Sequence, residues 1–214
     1  MSEQIIEELK KAILEYDSVT AARCAKKVVE ERIDPVKALD AMVDAVRSVG
    51  DAFGKRELWL PELVGAADAM QSALPIIEEE IAKGGATRQS LGTIVIGTVQ
   101  GDIHSIGKNL VATFLLAHGF EVRDLGVDIE ARQFVEAVGK WHAKVLAMSA
   151  LMTTTAPEQK KVIQMLTSER LRDRVKVMVG GAAITQEFAR EIGADGYEST
   201  AVQAAPLARS LVGK

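Results

Sequence analysis

The sequence predicts two unlike halves: an N-terminal four-helix bundle, then a flavodoxin-like (Rossmann-like) α/β domain with a five-stranded parallel sheet of order 2-1-3-4-5. Three observations carry this. From Ser2 to about Lys83 apolar residues recur at helical spacing and nothing reads as a strand. Lys83-Gly84-Gly85-Ala86-Thr87-Arg88-Gln89-Ser90 then interrupts the pattern with adjacent glycines and polar neighbours. Beyond it, short β-branched runs alternate with helical ones, as parallel strands joined by right-handed crossover helices do. The expected boundaries are a helical domain over 1–83, a linker over 84–90 and an α/β domain over 91–214.

In the first half, Ile6, Leu9 and Ile13 mark one helix. Asp17 or Ser18 can cap a second, whose apolar side includes Val19, Ala22 and Val29. Asp34 followed by Pro35 pairs a capping side chain with a proline at the first helical position, and Leu39, Val43, Val46 and Phe53 line the third helix. Pro61 opens the fourth, where Leu63, Ala67, Met70, Leu74, Ile77 and Ile81 form a core stripe. The connection before it, Leu58-Trp59-Leu60, places an indole and two leucines where a bundle normally carries polar residues. Trp59 either plugs the end of the bundle or covers a flat hydrophobic ligand.

In the second half, Leu91 to Val99 reads as a buried central strand and Ile106, Leu110 and Phe114 as one face of the helix that follows. Phe120 to Val122 is a second strand, Asp124-Leu125-Gly126 a loop and Ala131 to Trp141 a helix. Val145 to Ser149 and Val175 to Val179 are the third and fourth strands, each followed by a helix, Glu158 to Arg170 and Ile184 to Ile192. Gly196 and Tyr197 fall in a short fifth strand before a last helix from about Ala201 to Leu211. His118 and His142 sit at helix ends and read as C-terminal capping residues.

Composition narrows the function classes. The 214 residues are 48% hydrophobic, enough for one good core or two small ones. A net charge of −4 without a lysine- or arginine-rich block argues against a nucleic-acid partner. No apolar run approaches the roughly 20 residues that span a bilayer, and Met1 to Lys11 is too charged for a signal peptide, so a cytoplasmic protein without a membrane partner is expected. Cys24 is the single cysteine; it excludes an internal disulfide and reads as a packed helix residue.

Chemistry concentrates in one turn, Thr98-Val99-Gln100-Gly101-Asp102-Ile103-His104-Ser105-Ile106-Gly107-Lys108-Asn109. A histidine in a loop is most often solvated, and an aspartate beside it most often a helix cap. Here the pair lies where the first strand of a doubly wound sheet delivers a loop to the carboxyl edge, at the switch point beside the third strand. In a locally extended loop, Asp102 and His104 project from the same side. Asp102 can then accept the proton of one imidazole nitrogen, which fixes the tautomer and leaves the other nitrogen for a metal. The topology brings Ser149 to Thr155 alongside, with Gly180-Gly181 next along the edge; such small-residue loops suit a long ligand tail.

At these residues the sequence resembles the cobalamin-binding domain shared by methionine synthase, methyl-transfer corrinoid proteins and several cobalamin mutases. The family pattern Asp-x-His-x-x-Gly is met by Asp102, His104 and Gly107, Ser-x-Leu by Ser149 and Leu151, and Gly-Gly by Gly180 and Gly181. The resemblance implies a base-off corrinoid whose cobalt is bound from below by His104. It implies that Ser149 contacts the nucleotide tail, that Leu151 packs on the benzimidazole, and that Thr155 completes a hydrogen-bonded chain with Asp102 and His104. Gly101, Ser105, Ile106, Gly107, Thr153, Gly180, Gly181 and Tyr197 join the expected cofactor-binding set. The helical half resembles the domain that precedes the cobalamin domain in methyl-transfer corrinoid proteins, which makes Trp59 a cap over the cofactor's reactive face. Two departures are Ser105, where many relatives carry an acidic residue, and Glu198-Ser199-Thr200, which lacks an aspartate common after Ala194-Asp195-Gly196-Tyr197.

What the resemblance implies about activity is a carrier, not catalytic alone, that belongs to a multi-component methyltransferase system. Its cobalamin would cycle between methylcob(III)alamin and cob(I)alamin. The methyl group would come from a substrate:corrinoid methyltransferase and pass to a methylcorrinoid:coenzyme M or tetrahydrofolate methyltransferase, with a reductive activation protein as third partner. Two other classes use the same motifs: the small cobalamin subunit of a radical mutase, which lacks this helical cap, and a cobalamin-sensing regulator, which would need a DNA-binding module.

Overall fold

A computed structural model of the chain describes residues 2–83 and 90–213. The chain divides into two compact units, Met1–Gln89 and Ser90–Lys214. The expected linker lies, but for Ser90, outside the described residues.

The first unit is helical: α1 (Ser2–Leu14), α2 (Ser18–Glu30), α3 (Pro35–Gly54) and α4 (Leu60–Lys83). Asp17 rather than Ser18 caps α2, its carboxylate accepting from Thr20 N at 2.9 Å. Asp34 does the same for α3, accepting from Val36 N at 2.9 Å with Pro35 in the first turn. Both caps satisfy amides that a helix start leaves without an internal partner. The buried face of α2 is Ala21, Cys24, Ala25 and Val28, while Val19 is 79% exposed. That corrects the expected Val19-Ala22-Val29 side, and the reason is size. α2 packs on α4, which buries Ala66, Ala69 and Ala73, so small residues on both helices set a close approach. Next to it, a Cβ added at Gly65 would lie 2.8 Å from the Cβ of Tyr16. Of the expected α4 stripe, Leu63, Ala67, Met70 and Ile77 are buried, and Leu74 and Ile81 are half-buried.

The second unit is a parallel sheet of order β2-β1-β3-β4-β5, as expected. Its elements are β1 (Thr93–Thr98), α5 (Ile106–Ala117), β2 (Glu121–Asp124), α6 (Ala131–Lys140), β3 (Val145–Ser149), α7 (Ala156–Ser168), β4 (Lys176–Gly180), α8 (Gln186–Glu191), β5 (Gly196–Tyr197) and α9 (Ala201–Leu211). A 3₁₀ turn at Arg172–Arg174, absent from the sequence reading, precedes β4. β2 starts one residue later than expected and runs on through Asp124, and α7 starts at Ala156, with Pro157 in its first turn. His118 is the C-cap of α5, and His142 stands one residue past the Trp141 cap of α6 at φ 48°.

Alternation along the strands sorts side chains between two faces. Val95, Val99, Leu146, Met148, Val177 and Val179 pack with Phe134 and Val138 of α6, Val162 and Leu166 of α7 and Ala189 of α8. Gly97 belongs to that face, because a Cβ there would meet Phe134 at 2.7 Å. The opposite face carries Ile94, Ile96 and Met178 and is covered by α5 and α9; Gly196, in register with Met178, would press a Cβ onto Leu207 at 2.9 Å. Thr98 pairs with Ser149, and Ser149 with Gly180, so these three small residues form a row on the α5/α9 face at the carboxyl edge. Under α9 this face is lined by Ala204, Ala205 and Ala208, which leaves it shallow.

Candidate cobalamin site

Asp102 is the hub of the carboxyl edge. Its carboxyl group is fully buried, and four hydrogen bonds converge on it. Oδ1 accepts from the backbone N–H of His104 at 3.0 Å and from His104 Nδ1 at 2.7 Å. Oδ2 accepts from the backbone N–H of Leu151 at 2.7 Å and from Thr155 Oγ1 at 2.8 Å. Burial alone would raise the pKa of Asp102, but these bonds from His104, Leu151 and Thr155 outweigh it and hold the carboxyl group well below the usual carboxylate range. An ionised carboxylate can only accept, so Nδ1 of His104 carries the proton and Nε2 keeps its lone pair. The His104 side chain is 47% exposed, and its Nε2 has no hydrogen-bond partner among the described residues.

The loop is shaped to present that imidazole. Gly101 has φ +80°, a left-handed turn that suits glycine, and Asp102 N closes the turn onto Val99 O at 3.1 Å. Buried Thr98 donates its hydroxyl to His104 O at 3.0 Å. Around His104 the surface is apolar where a free surface would be polar: Ile103 is 74% exposed, Ile106 64%, Leu151 40% and Met152 36%. At the start of α5, a Cβ on Gly107 would meet nothing within 4 Å. The fit to a corrinoid is good on these observations. One imidazole lone pair suits a metal whose remaining positions are filled by its own ring, the apolar rim suits a wide macrocycle, and the row Thr98, Ser149, Gly180 leaves width for a tail. Gly181 is required for another reason: a Cβ there would sit 1.9 Å from Ala150 O, so the loops after β3 and β4 close against each other only without a side chain.

The structure brings Asp102, His104, Leu151 and Thr155 into direct contact and sets Gly101, Ser105, Ile106 and Gly107 beside them. Ser149 and Gly180 share a face, whereas the Tyr197 side chain packs on the opposite, α6–α8 face and is not part of their row. Thr153 is exposed on the loop before α7. Trp59 stands in the turn before α4 and is 74% exposed, so it is not a buried plug of the bundle. Sequence reasoning missed Thr98, the direct register partner of Ser149 on the neighbouring strand, and Asp128, whose carboxylate accepts from Gly101 N at 2.7 Å.

Residues 92–205 match the family described as B12 binding domain, and residues 5–78 match a second family of the same description. The chain is 44% identical over 200 residues to the trimethylamine corrinoid protein of Methanosarcina barkeri, covering 93% of this chain and 92% of that one. It is 42% identical over 212 residues to dimethylamine corrinoid protein 2 of Methanosarcina mazei, covering 98% of each. Among solved structures, that of the methanol:cobalamin methyltransferase complex of Methanosarcina barkeri aligns at TM-score 0.80 and 30% identity, covering 99% of this chain and 80% of the other. An imidazole held by a buried aspartate, a shallow small-residue row beside it and matches that run through both units converge on one assignment: the chain belongs to the cobalamin-binding corrinoid proteins of methyl-transfer systems.

Proposed function

We propose that this protein is a methyl carrier that receives a methyl group from a substrate-specific methyltransferase and yields it to a second methyltransferase acting on a thiol or a tetrahydrofolate. A reductive activation protein would restore the carrier after oxidation, and all of these partners would be met in the cytoplasm. When bound, the cobalt supplies the nucleophile that takes the methyl group and the bond that gives it up.

The residues divide the remaining work. His104 would offer Nε2 to the metal, and Asp102 holds the imidazole in the tautomer that leaves this nitrogen unprotonated. Asp102, which accepts four hydrogen bonds and is held below the usual carboxylate range, would keep Nδ1 of His104 as a donor throughout. Thr155 and the Leu151 amide keep that carboxylate in place from the opposite side. Ser149, Gly180 and Gly181 would line the path of the nucleotide tail, with Leu151 against its base. In the helical unit, exposed Trp59 and Leu60 would shield the reactive face until a partner enzyme engages.

The observation that carries this reading is the 2.7 Å bond from His104 Nδ1 to buried Asp102, beside four exposed apolar side chains. Its test is His104→Ala reconstituted with methylcobalamin. The variant should retain corrinoid through the tail contacts and show the visible spectrum of a form without a lower nitrogen ligand. A spectrum identical to that of the parent would overturn the assignment.

A further inference from the structure

The loop between β2 and α6 pairs onward past the strands and ends on the peptide that carries the metal ligand. Leu125 N donates to Ile96 O at 2.8 Å, Gly126 O accepts from Thr98 N at 3.0 Å, and Ile129 N donates to Thr98 O at 3.0 Å. Asp128 then grips the Gly101-Asp102 unit at both ends. Its Oδ1 accepts from Gly101 N at 2.7 Å, and its own backbone N–H donates to Asp102 O at 3.0 Å. To do so Asp128 adopts φ 57°, a left-handed conformation uncommon for a residue with a Cβ and most accessible to aspartate and asparagine. Four residues earlier, Asp124 fixes the far side of the same loop: its carboxylate pairs with Lys108, a lysine only 3% exposed in the first turn of α5. A buried cation at a helix start opposes the helix dipole, so packing alone does not explain it.

We propose that Asp128 is a positioning residue for His104, clamping the backbone of the ligand loop so that the imidazole meets and leaves the metal by side-chain motion while the loop stays in place. The proposal rests on His104 being the lower ligand. Asp128 is exposed and meets the expected cofactor site only at the backbone of Gly101 and Asp102, so its effect on His104 passes through the loop.

The test compares Asp128→Gly, Asp128→Asn, His104→Ala and the parent. Glycine relieves the left-handed backbone but removes the acceptor; asparagine keeps an acceptor oxygen and tolerates the conformation. Each protein is titrated with aquocobinamide, a corrinoid without a nucleotide tail, while the visible spectrum reports imidazole coordination, and amide exchange at His104 N–H is measured without corrinoid. Asp128→Gly should weaken imidazole-on binding by about 10-fold, in the range of other outer partners of metal ligands, and speed exchange at His104. Asp128→Asn should stay within about twofold of the parent, since its amide oxygen can still accept from Gly101 N. Parent-like affinity in Asp128→Gly, whatever the exchange shows, or equal losses in glycine and asparagine variants, would overturn the clamp. Failure of the underlying reading looks different: His104→Ala would then keep the imidazole-on spectrum.

Discussion

Two of the turns that carry exposed apolar side chains, those at Ile103 and Trp59, are fastened in opposite ways. The turn from Val99 to Ser105 is tied to segments far away in sequence: to Asp128, to Leu151 and Thr155, and through the Val99 amide to Ser149 O at 3.1 Å. The turn from Lys55 to Trp59 is closed by near neighbours, Lys55 N to Asp51 O at 3.0 Å, Glu57 N to Ala52 O at 2.9 Å and Trp59 N to the Glu62 carboxylate at 3.0 Å. Long-range bonds make the first turn part of the sheet's own cooperative unit, whereas local bonds let the second shift at little cost to the helices it joins. The proposed metal ligand would need the first kind of support and the proposed shield the second.

The largest effect expected from breaking this contrast is at Asp102. Asp102→Ala strips the acceptor from the His104 and Leu151 amides and from Thr155, and the stability of the α/β unit should fall by ~3–5 kcal/mol. Urea unfolding followed at Trp141, in a Trp59→Phe background, reads that unit alone. The pH dependence has a definite sign. Because the pKa of Asp102 is depressed in the folded chain, its contribution is complete above the ordinary carboxylate value of 3.8 and is lost as pH falls towards the folded value. The difference between parent and variant should therefore be constant from about pH 7 to 5 and shrink by ~1.4 kcal/mol per pH unit below about pH 3.8. Shrinkage already at neutral pH would show that another group carries the stabilisation.

A smaller effect is expected at Thr155, whose hydroxyl lies 2.8 Å from Asp102 and 3.0 Å from Met152 O. Thr155→Val keeps the shape and removes one donor while the Leu151 amide stays, so the loss should be ~1–2 kcal/mol in the same unfolding measurement. Thr155→Ser should restore most of it. Equal losses in valine and serine variants would trace the effect to packing of the methyl group rather than to the bond.

The same contrast governs what could be read from sequence. β3 was legible because Val145 to Met148 is a continuous apolar run between Lys144 and Ser149, and α3 because Asp34-Pro35 is a local signal that needs no tertiary partner. The pairing of Asp102 with His104 was legible for the same reason, being two residues apart. Resemblance supplied Thr155, 53 residues from the carboxylate it bonds. Nothing local marks Asp128 or the Asp124–Lys108 pair, since each acquires its role only when β2 is laid beside β1. Val19 was misplaced because helical period alone cannot tell which of two adjacent apolar stripes meets a neighbour, and the alanines of α4 decided it.

Trp59 is expected to contribute least to stability, and this separates a shield from a plug. Its indole is 74% exposed, so Trp59→Ala should change the stability of the helical unit by no more than ~0.5 kcal/mol, the usual range for surface substitutions. Removing a buried tryptophan would instead cost ~3–5 kcal/mol. The effect should appear in the cofactor: in protein reconstituted with methylcobalamin, photolysis under fixed illumination should be faster in Trp59→Ala, with the histidine-ligated spectrum kept. Thermal melting and photolysis on one preparation decide the matter, because the two readings predict opposite pairs of results. A lowered melting point with an unchanged photolysis rate would return Trp59 to a packing role, whereas unchanged melting with faster photolysis would place the indole over the reactive face without its holding the bundle together.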